Sequence, residues 1–127
     1  MPAPHKAAPF ALVVEDDPAA ADIFQQALQD AGYQTEVAAT GHKAQARLAF
    51  TNPDLIILDM HLPQLSGEVV LRQLRGRQRL HRTHVVVATG DERAAAAYGE
   101  FADRVLLKPV GYEQLRSLAE NLISVAA

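Results

Sequence analysis

The stretch Leu55-Ile56-Ile57-Leu58-Asp59 places four consecutive apolar residues directly before a carboxylate. A short apolar run without polar alternation is typical of a strand buried on both faces, as in the middle of a parallel sheet. In open α/β folds, ligands bind at the carboxyl ends of such strands. Asp59 is therefore predicted to lie at a sheet edge where a functional site can form.

Three further apolar runs end in polar side chains in the same way. The residues that follow them are Glu15, Asp16 and Asp17 after residues 12–14, Thr89 after residues 85–88, and Lys108 after residues 105–107. If the strands are parallel neighbours in one sheet, these acids, the hydroxyl and the amine converge on one edge. Taken singly, Thr89 could merely end a strand and Lys108 could be a solvated loop residue.

Five strand-like runs alternate with five helix-like segments along the chain. This alternation predicts parallel strands joined by right-handed crossovers, with helices on both faces of the sheet. Apolar residues at helical spacing predict the inward faces of the first three helices. They are Ile23, Phe24, Ala27, Leu28 and Ala31 in the first helix, Ala44, Leu48 and Ala49 in the second, and Val69, Val70, Leu71 and Leu74 in the third.

Length and composition indicate one globular domain. The chain has 127 residues, of which 49% are hydrophobic, and a net charge of −3, which argues against direct nucleic-acid binding. It has no cysteine and no apolar stretch long enough to span a membrane, so a cytoplasmic location is the expectation. Residues 1–9 are predicted to be a flexible leader, and residues 10–127 the domain.

The acidic cluster indicates a metal site. Adjacent carboxylates raise the cost of ionising one another, and a divalent cation relieves that repulsion. Mg²⁺ takes oxygen ligands and needs only one or two carboxylates together with water and phosphate. We interpret Asp16 and Asp59 as a metal-binding pair, whereas Asp17, directly before Pro18, is better explained as the cap of the first helix.

Asp59 also has the chemistry of a nucleophile. A carboxylate can attack phosphorus and form an acyl phosphate, while a bound metal neutralises the phosphoryl charge. Thr89 could hydrogen-bond one phosphoryl oxygen, and Lys108 could pair with another. Haloacid-dehalogenase-like phosphatases also use a strand-end aspartate, but they require a second aspartate two residues later, where this chain has His61.

Four motifs together resemble the receiver domains of two-component response regulators, of which the chemotaxis response regulator is the single-domain example. The motifs are Val13-Val14-Glu15-Asp16-Asp17, Leu58-Asp59-Met60-His61-Leu62-Pro63 with Ser66-Gly67, Ala88-Thr89-Gly90, and Lys108-Pro109. The resemblance covers essentially the whole chain after the leader. It implies a flavodoxin-like, doubly wound parallel sheet of five strands in the order 2-1-3-4-5.

The same resemblance implies roles for individual residues. Asp59 would be the phosphoacceptor, and Thr89 and Lys108 would hold the phosphoryl group. Mg²⁺ would be bound by Asp16 directly, by Glu15 largely through water, by Asp59, and by the backbone carbonyl of His61. Lys108-Pro109 would be a cis peptide.

The implied function is that of a phosphoacceptor signalling protein in a two-component phosphorelay, promoting at most its own phosphorylation and slow dephosphorylation. The implied partners are a histidine kinase or histidine phosphotransfer protein and an unidentified downstream protein, with the chain a monomer or weak homodimer. Two alternatives stay open. The chain could be the receiver half of a larger transcription factor or signalling enzyme, or an interaction module that works without phosphorylation.

Several features depart from the family pattern or add to it. Val105 stands where many receivers have an aromatic residue that moves on phosphorylation, and the fourth helix, near Asp91, is predicted to be short. His61 and Asp91 lie where side chains tune phosphoryl lifetime in the family, although both could be plain loop residues. A basic stretch reaches from Arg72 to His84; we interpret it mainly as a solvated helix end, with a docking patch for an acidic partner as the alternative.

Overall fold

The computed structural model describes residues 8–126, so residues 1–7 of the predicted leader lie outside the described part. The strands are β1 Phe10–Val14, β2 Gln34–Ala38, β3 Leu55–Asp59, β4 His84–Thr89 and β5 Arg104–Leu107. The helices are α1 Pro18–Asp30, α2 Gly41–Leu48, α3 Gly67–Gly76, α4 Glu92–Tyr98 and α5 Tyr112–Ala126, and a 3₁₀ turn at Gln78–Leu80 follows α3. Within residues 8–126, none of the helices combines the length and apolar character that crossing a bilayer needs.

The five strands form one parallel sheet in the order β2-β1-β3-β4-β5. The predicted doubly wound, flavodoxin-like fold is therefore confirmed, including its strand order. All five residues of β3 are buried, as expected for a central strand that is covered on both faces. The chain order reverses between β1 and β3, and ligands bind beside such a switch point.

Each face of the sheet carries its own apolar core. One core joins alternate strand residues such as Leu12, Ile56 and Val85 to α2 and α3. The other joins the intervening strand residues, such as Val13 and Ile57, to α1 and α5. Because side chains alternate along a strand, Glu15 and Asp59 continue the row that faces α1 and α5.

The helix starts follow from capping chemistry. Asp17 accepts a hydrogen bond from the Ala19 amide and precedes Pro18, Thr40 accepts from the Lys43 amide, and Ser66 accepts from the Val69 amide. Most of the helix residues that were predicted to face inward are buried or half-buried, but the predicted faces include some exposed residues. The residues predicted to be inward that are instead exposed are Ile23, Ala49 and Val69.

The fourth helix is short, as predicted, with seven residues in α4. Hydrogen bonds and an ion pair hold the segment that follows α4 against α3 and β4. Arg75 of α3 donates to the Phe101 carbonyl at 2.6 Å and to the Asp103 carboxylate at 3.0 Å. Asp103 also accepts from the Val85 amide at 2.7 Å, so α3, β4 and the start of β5 share one cluster.

Three arginines of the basic stretch have partners within the protein. Arg72 pairs with Glu68, Arg75 is held as described, and Arg79 donates to the Leu48 carbonyl at the end of α2. These contacts favour the structural interpretation of the stretch over that of a docking patch.

The contacts of Asp103 make the stability of the fold depend on pH. Burial alone would raise its pKa, but the Val85 amide and the Arg75 guanidinium together lower it below the usual value of 3.8. A lowered folded-state pKa contributes stability above the unfolded-state pKa, and this is lost as the pH falls through the folded-state value. Asp103→Asn is expected to lower the free energy of unfolding by about 1 kcal/mol at pH 7, with the difference shrinking below about pH 4.

Urea unfolding of the wild type and the variant between pH 7 and pH 2.5 measures this difference. Glu100→Gln, at an exposed acid, is the control and should change stability by less than about 0.5 kcal/mol at every pH. If the difference in the free energy of unfolding between the wild type and Asp103→Asn stays constant down to pH 2.5, the pKa of Asp103 is not lowered by folding and the prediction is wrong.

Candidate functional site

The polar strand-end residues meet at one edge of the sheet, as the sequence predicts. Val14 pairs with Leu58 and Asp59 with Ala88, which brings the ends of β1, β3 and β4 level with one another. Thr89 pairs with Leu107, so Lys108 directly follows the pair at the end of β5. Glu15, Asp59 and Thr89 are almost fully buried, at 1%, 3% and 0% exposure, whereas Asp16 is exposed.

Three carboxylates form a cluster that could hold a metal. One oxygen from each of Glu15, Asp16 and Asp59 lies within 4.8 Å of the others. An all-oxygen donor set with two buried members suits a hard cation such as Mg²⁺, which leaves further positions to water. Asp17 is not part of this cluster and caps α1, which agrees with the interpretation of that residue from the sequence.

Lys108 is the cation that faces this cluster. Its Nζ lies 2.6 Å from Glu15 Oε1 and 3.5 Å from Asp59 Oδ2, with about a quarter of the side chain exposed. The short contact with Glu15 was not anticipated from the sequence. The sequence feature that could have indicated this contact is the glutamate at position 15, because its side chain is one methylene longer than that of an aspartate.

The surroundings of Glu15 and Lys108 shift the pKa of both groups. The pKa of Glu15 is raised from 4.5 to about 7, chiefly because burial disfavours its charged form; the hydrogen bond from Lys108 lowers it, and nearby Asp59 raises it. Burial alone would lower the pKa of Lys108, but Glu15 and Asp59 raise it above its usual value. Asp59 therefore raises the pKa of both Glu15 and Lys108.

Asp59 is oriented by the loop that follows it. Its Oδ1 accepts a hydrogen bond from the His61 backbone amide at 3.0 Å, while Oδ2 is the oxygen nearest to Lys108. The two carboxylate oxygens therefore have different partners. The role of the His61 carbonyl as a metal ligand stays a prediction.

Gly67 allows the start of α3 to lie against the backbone of Asp59 and Met60. A Cβ at position 67 would overlap the Asp59 carbonyl oxygen and lie 2.8 Å from Met60 Cα, so only glycine fits without a shift of the backbone. Sequence reasoning noted Gly67 as part of a motif but did not identify this contact.

Thr89 connects β4 to the neighbouring segments. Its carbonyl accepts from the Lys108 amide at 2.8 Å, and its hydroxyl oxygen accepts from the Asp91 amide at 3.2 Å. Asp91 Oδ1 in turn accepts from the Arg93 amide at the start of α4. A hydroxyl that accepts one bond still has a hydrogen to donate, so Thr89 can also bind an anion oxygen.

A pocket opens beside Lys108. It has a volume of about 430 Å³ and lies between α1 and the segment after β5, with Ile23, Phe24 and Pro109 among its lining residues. Ile23 is 45% exposed. The peptide bond between Lys108 and Pro109 is cis, as the resemblance implied.

The family model of the response regulator receiver domain matches residues 11–120. The chain belongs to the response regulator receiver domain family. Its fold and its strand-end residues agree with this assignment, so the function predicted at the level of the family is confirmed. Receiver domains of two-component systems are signalling domains that interact with histidine kinases and downstream effectors.

Known proteins show how widely this domain is used. The chain is 32% identical over 118 residues to a DNA-binding dual master transcriptional regulator, RpaA, of Synechocystis sp., covering 91% of this chain and 49% of that protein. A receiver domain of a histidine kinase from Syntrophus aciditrophicus superposes with a TM-score of 0.82 at 35% identity, covering 93% and 92% of the two chains. The chemotaxis response regulator CheY4 of Vibrio cholerae gives 0.80 at 26% identity, covering 91% and 99%.

The chain spans about half the length of RpaA and smaller shares of some other curated relatives, 12% of the sensor histidine kinase TmoS of Ectopseudomonas mendocina among them. The match therefore covers the receiver domain and not the remaining parts of those relatives.

The acidic cluster predicts a specific metal dependence. Asp16→Asn is expected to weaken Mg²⁺ binding about tenfold or more, because it removes one of the three charges that make the site attractive to a cation. Calorimetric titration of the purified domain with MgCl₂ measures the dissociation constant. Asp22→Asn removes an exposed acid from α1 and should leave that constant unchanged. Equal losses in both variants would mean that general surface charge, and not the cluster, attracts the ion.

Proposed function

We propose that this receiver domain accepts a phosphoryl group on Asp59 in a two-component phosphorelay. The observation that carries the proposal is the setting of Asp59. Its carboxylate is buried at a sheet edge, lies within 4.8 Å of two further carboxylates, and has the Lys108 ammonium 3.5 Å away. A carboxylate that served only the fold would not need three like charges gathered around one cation.

Mg²⁺ is the metal that this donor set suits. In the proposal, Asp16 and Asp59 bind the ion directly, Glu15 acts largely through water, and the His61 carbonyl completes the protein ligands. When bound, the ion supplies positive charge that neutralises the incoming phosphoryl oxygens.

The transfer step is a substitution at phosphorus. An oxygen of the Asp59 carboxylate forms a bond to phosphorus while the bond from phosphorus to the donor atom breaks, and the donor atom leaves with the electron pair. For a phosphohistidine donor, the leaving atom is a ring nitrogen, and the product is an acyl phosphate on Asp59. Lys108 Nζ and the Thr89 hydroxyl hold two phosphoryl oxygens, and Lys108 is already placed at this edge by Glu15.

The donor in this proposal is a histidine kinase or a histidine phosphotransfer protein. The pocket beside Lys108, with Ile23 exposed at its rim, offers apolar contact to a protein that approaches Asp59. The receiver domain comprises residues 10–127, acts in the cytoplasm, and passes its signal to a downstream protein. It is not an enzyme beyond promoting its own phosphorylation and slow dephosphorylation.

A second candidate is the receiver part of a larger regulator. It is favoured by the coverage of the curated relatives, since the chain matches 49% of a DNA-binding regulator. In that arrangement, the same chemistry at Asp59 would control an attached effector.

The central prediction concerns covalent labelling. Incubation with Mg²⁺ and acetyl phosphate, a small acyl-phosphate donor, is expected to add one phosphoryl group to the wild-type chain, and Asp59→Asn is expected to abolish the addition because an amide is a poor nucleophile. Intact-mass spectrometry measures the added group, and hydroxylamine, which cleaves acyl phosphates, should remove it.

Asp22→Asn is the matched control, since it makes the same chemical change at an exposed helix position. It should label at the wild-type rate. Equal labelling of Asp59→Asn would refute the proposal because the phosphoryl group would then be on another residue. No labelling of the wild type would also refute it and would leave a module that works without phosphorylation.

The lifetime of the phosphorylated form tests the predicted role of His61. His61 is exposed and follows Asp59 by two residues, so its side chain can affect how water approaches the phosphoryl group. His61→Ala is expected to change the first-order decay rate by about tenfold, which corresponds to about 1.4 kcal/mol of activation free energy, the scale of one hydrogen bond. The acetyl phosphate donor is first removed, and the loss of the phosphoryl group from Asp59 is then followed by mass spectrometry. His42→Ala, at an exposed histidine on α2, is the control, and an unchanged lifetime in His61→Ala would contradict the role.

A further inference from the structure

The loop between β3 and α3, residues 60–66, sets the direction of the Asp59 carboxylate. The His61 amide in this loop donates to Asp59 Oδ1 at 3.0 Å. If the loop moves, this hydrogen bond and the position of the His61 carbonyl change together. Whatever holds the loop therefore also holds the nucleophile in place.

The loop is held in a conformation that it would not adopt by itself. Gln64 has φ of 67°, in the left-handed region that non-glycine residues rarely enter. The Leu65 amide donates to the Pro63 carbonyl at 2.8 Å, which closes a three-residue turn around Gln64. A strained turn of this kind persists only where surrounding contacts fix it.

The first turn of α2 lies in close contact with this turn. Gly41, in the first turn of α2, is buried against Leu65. A Cβ at position 41 would lie 2.5 Å from the Leu65 carbonyl oxygen and 2.9 Å from Leu65 Cβ. The Thr40 side chain caps the helix by accepting from the Lys43 amide, which fixes the first turn and leaves the loop as the part that must move.

We propose that Gly41 is a positioning residue for the phosphorylation site. It acts through the backbone of Leu65 on the loop, and through the His61 amide on Asp59. The proposal rests on the proposed function of Asp59, and it assigns to a residue on a different helix, outside the acidic cluster, a part in presenting the nucleophile and the metal ligands.

Gly41→Ala tests the proposal because it adds a single methyl group at the contact. Gly76→Ala is the matched control, since Gly76 ends α3 and a Cβ there meets nothing within 4 Å. In the metal-free proteins, amide hydrogen exchange of His61 is followed by NMR; the binding of Mg²⁺ and labelling by acetyl phosphate are then measured below the melting temperature of each variant. We expect Gly41→Ala to speed the exchange, weaken Mg²⁺ binding about tenfold and slow labelling by a similar factor, and Gly76→Ala to match the wild type.

Two results would overturn the proposal. The first is a Gly41→Ala variant that melts at a lower temperature but keeps the wild-type exchange rate, Mg²⁺ affinity and labelling rate, because Gly41 would then serve the fold alone. If Gly41→Ala does not fold, Leu65→Gly removes the Leu65 Cβ from the same contact on the loop side, and wild-type exchange, Mg²⁺ affinity and labelling in that variant are the second result.

The same measurements separate this proposal from the proposed function. A wild-type chain that fails to label refutes phosphorylation at Asp59. A wild type that labels normally, together with a Gly41→Ala variant that labels equally well at every Mg²⁺ concentration, refutes only the positioning role.

Discussion

The crowding of three carboxylates at a buried sheet edge is the constraint on which the rest of the site depends. Glu15 and Asp59 are both nearly inaccessible to water, and Asp16 completes the cluster within 4.8 Å. Within residues 8–126, the Lys108 ammonium faces these acids, at 2.6 Å from Glu15 and 3.5 Å from Asp59. Burial is the chief cause of the raised pKa of Glu15, with Asp59 adding to it, whereas Glu15 and Asp59 together raise the pKa of Lys108 against the effect of burial. A cation that entered the site would relieve the repulsion among the carboxylates and so lower the free energy of the site.

The parallel sheet is what makes this crowding possible. An apolar strand such as β3, covered on both faces, ends abruptly where the cover ends, and the first polar residue after it lies in a sheltered position. Neighbouring strands in register place their own first polar residues beside it. The packing of the two apolar cores therefore determines the geometry of charged groups that belong to neither core. The glycines at positions 41 and 67 extend this control to the loop after β3, since each allows backbone to approach backbone.

These relationships explain which parts of the protein the sequence could predict. Apolar runs and helical spacing predict the elements, and the polar residues after the runs predict Glu15, Asp16, Asp59, Thr89 and Lys108 as site residues; the structure brings the three acids and Lys108 together. Strand order was available only through resemblance, because alternation alone does not order strands. Ile23, Ala49 and Val69 were placed inward wrongly because spacing gives the direction of an apolar face and not its width. The contacts of Lys108 with Glu15 and of Gly41 with Leu65 join residues 93 and 24 positions apart, and no local pattern records such a pair.

The departure at Val105 bears on how a change at Asp59 would reach the surface. Val105 is partly buried against the core that α2 and α3 share, and valine has no ring to exchange between an exposed and a buried position. Thr89 has two other connections, through its carbonyl to the Lys108 amide and through its hydroxyl oxygen to the Asp91 amide. A hydroxyl that donates to a phosphoryl oxygen can keep accepting from Asp91, so movement of Thr89 towards Asp59 would draw the start of α4 with it. The far end of α4 is followed by Phe101 and Asp103, which Arg75 holds to α3. If the first turn of α4 moved while the segment after it stayed bound to α3, this short helix would have to tilt or unwind.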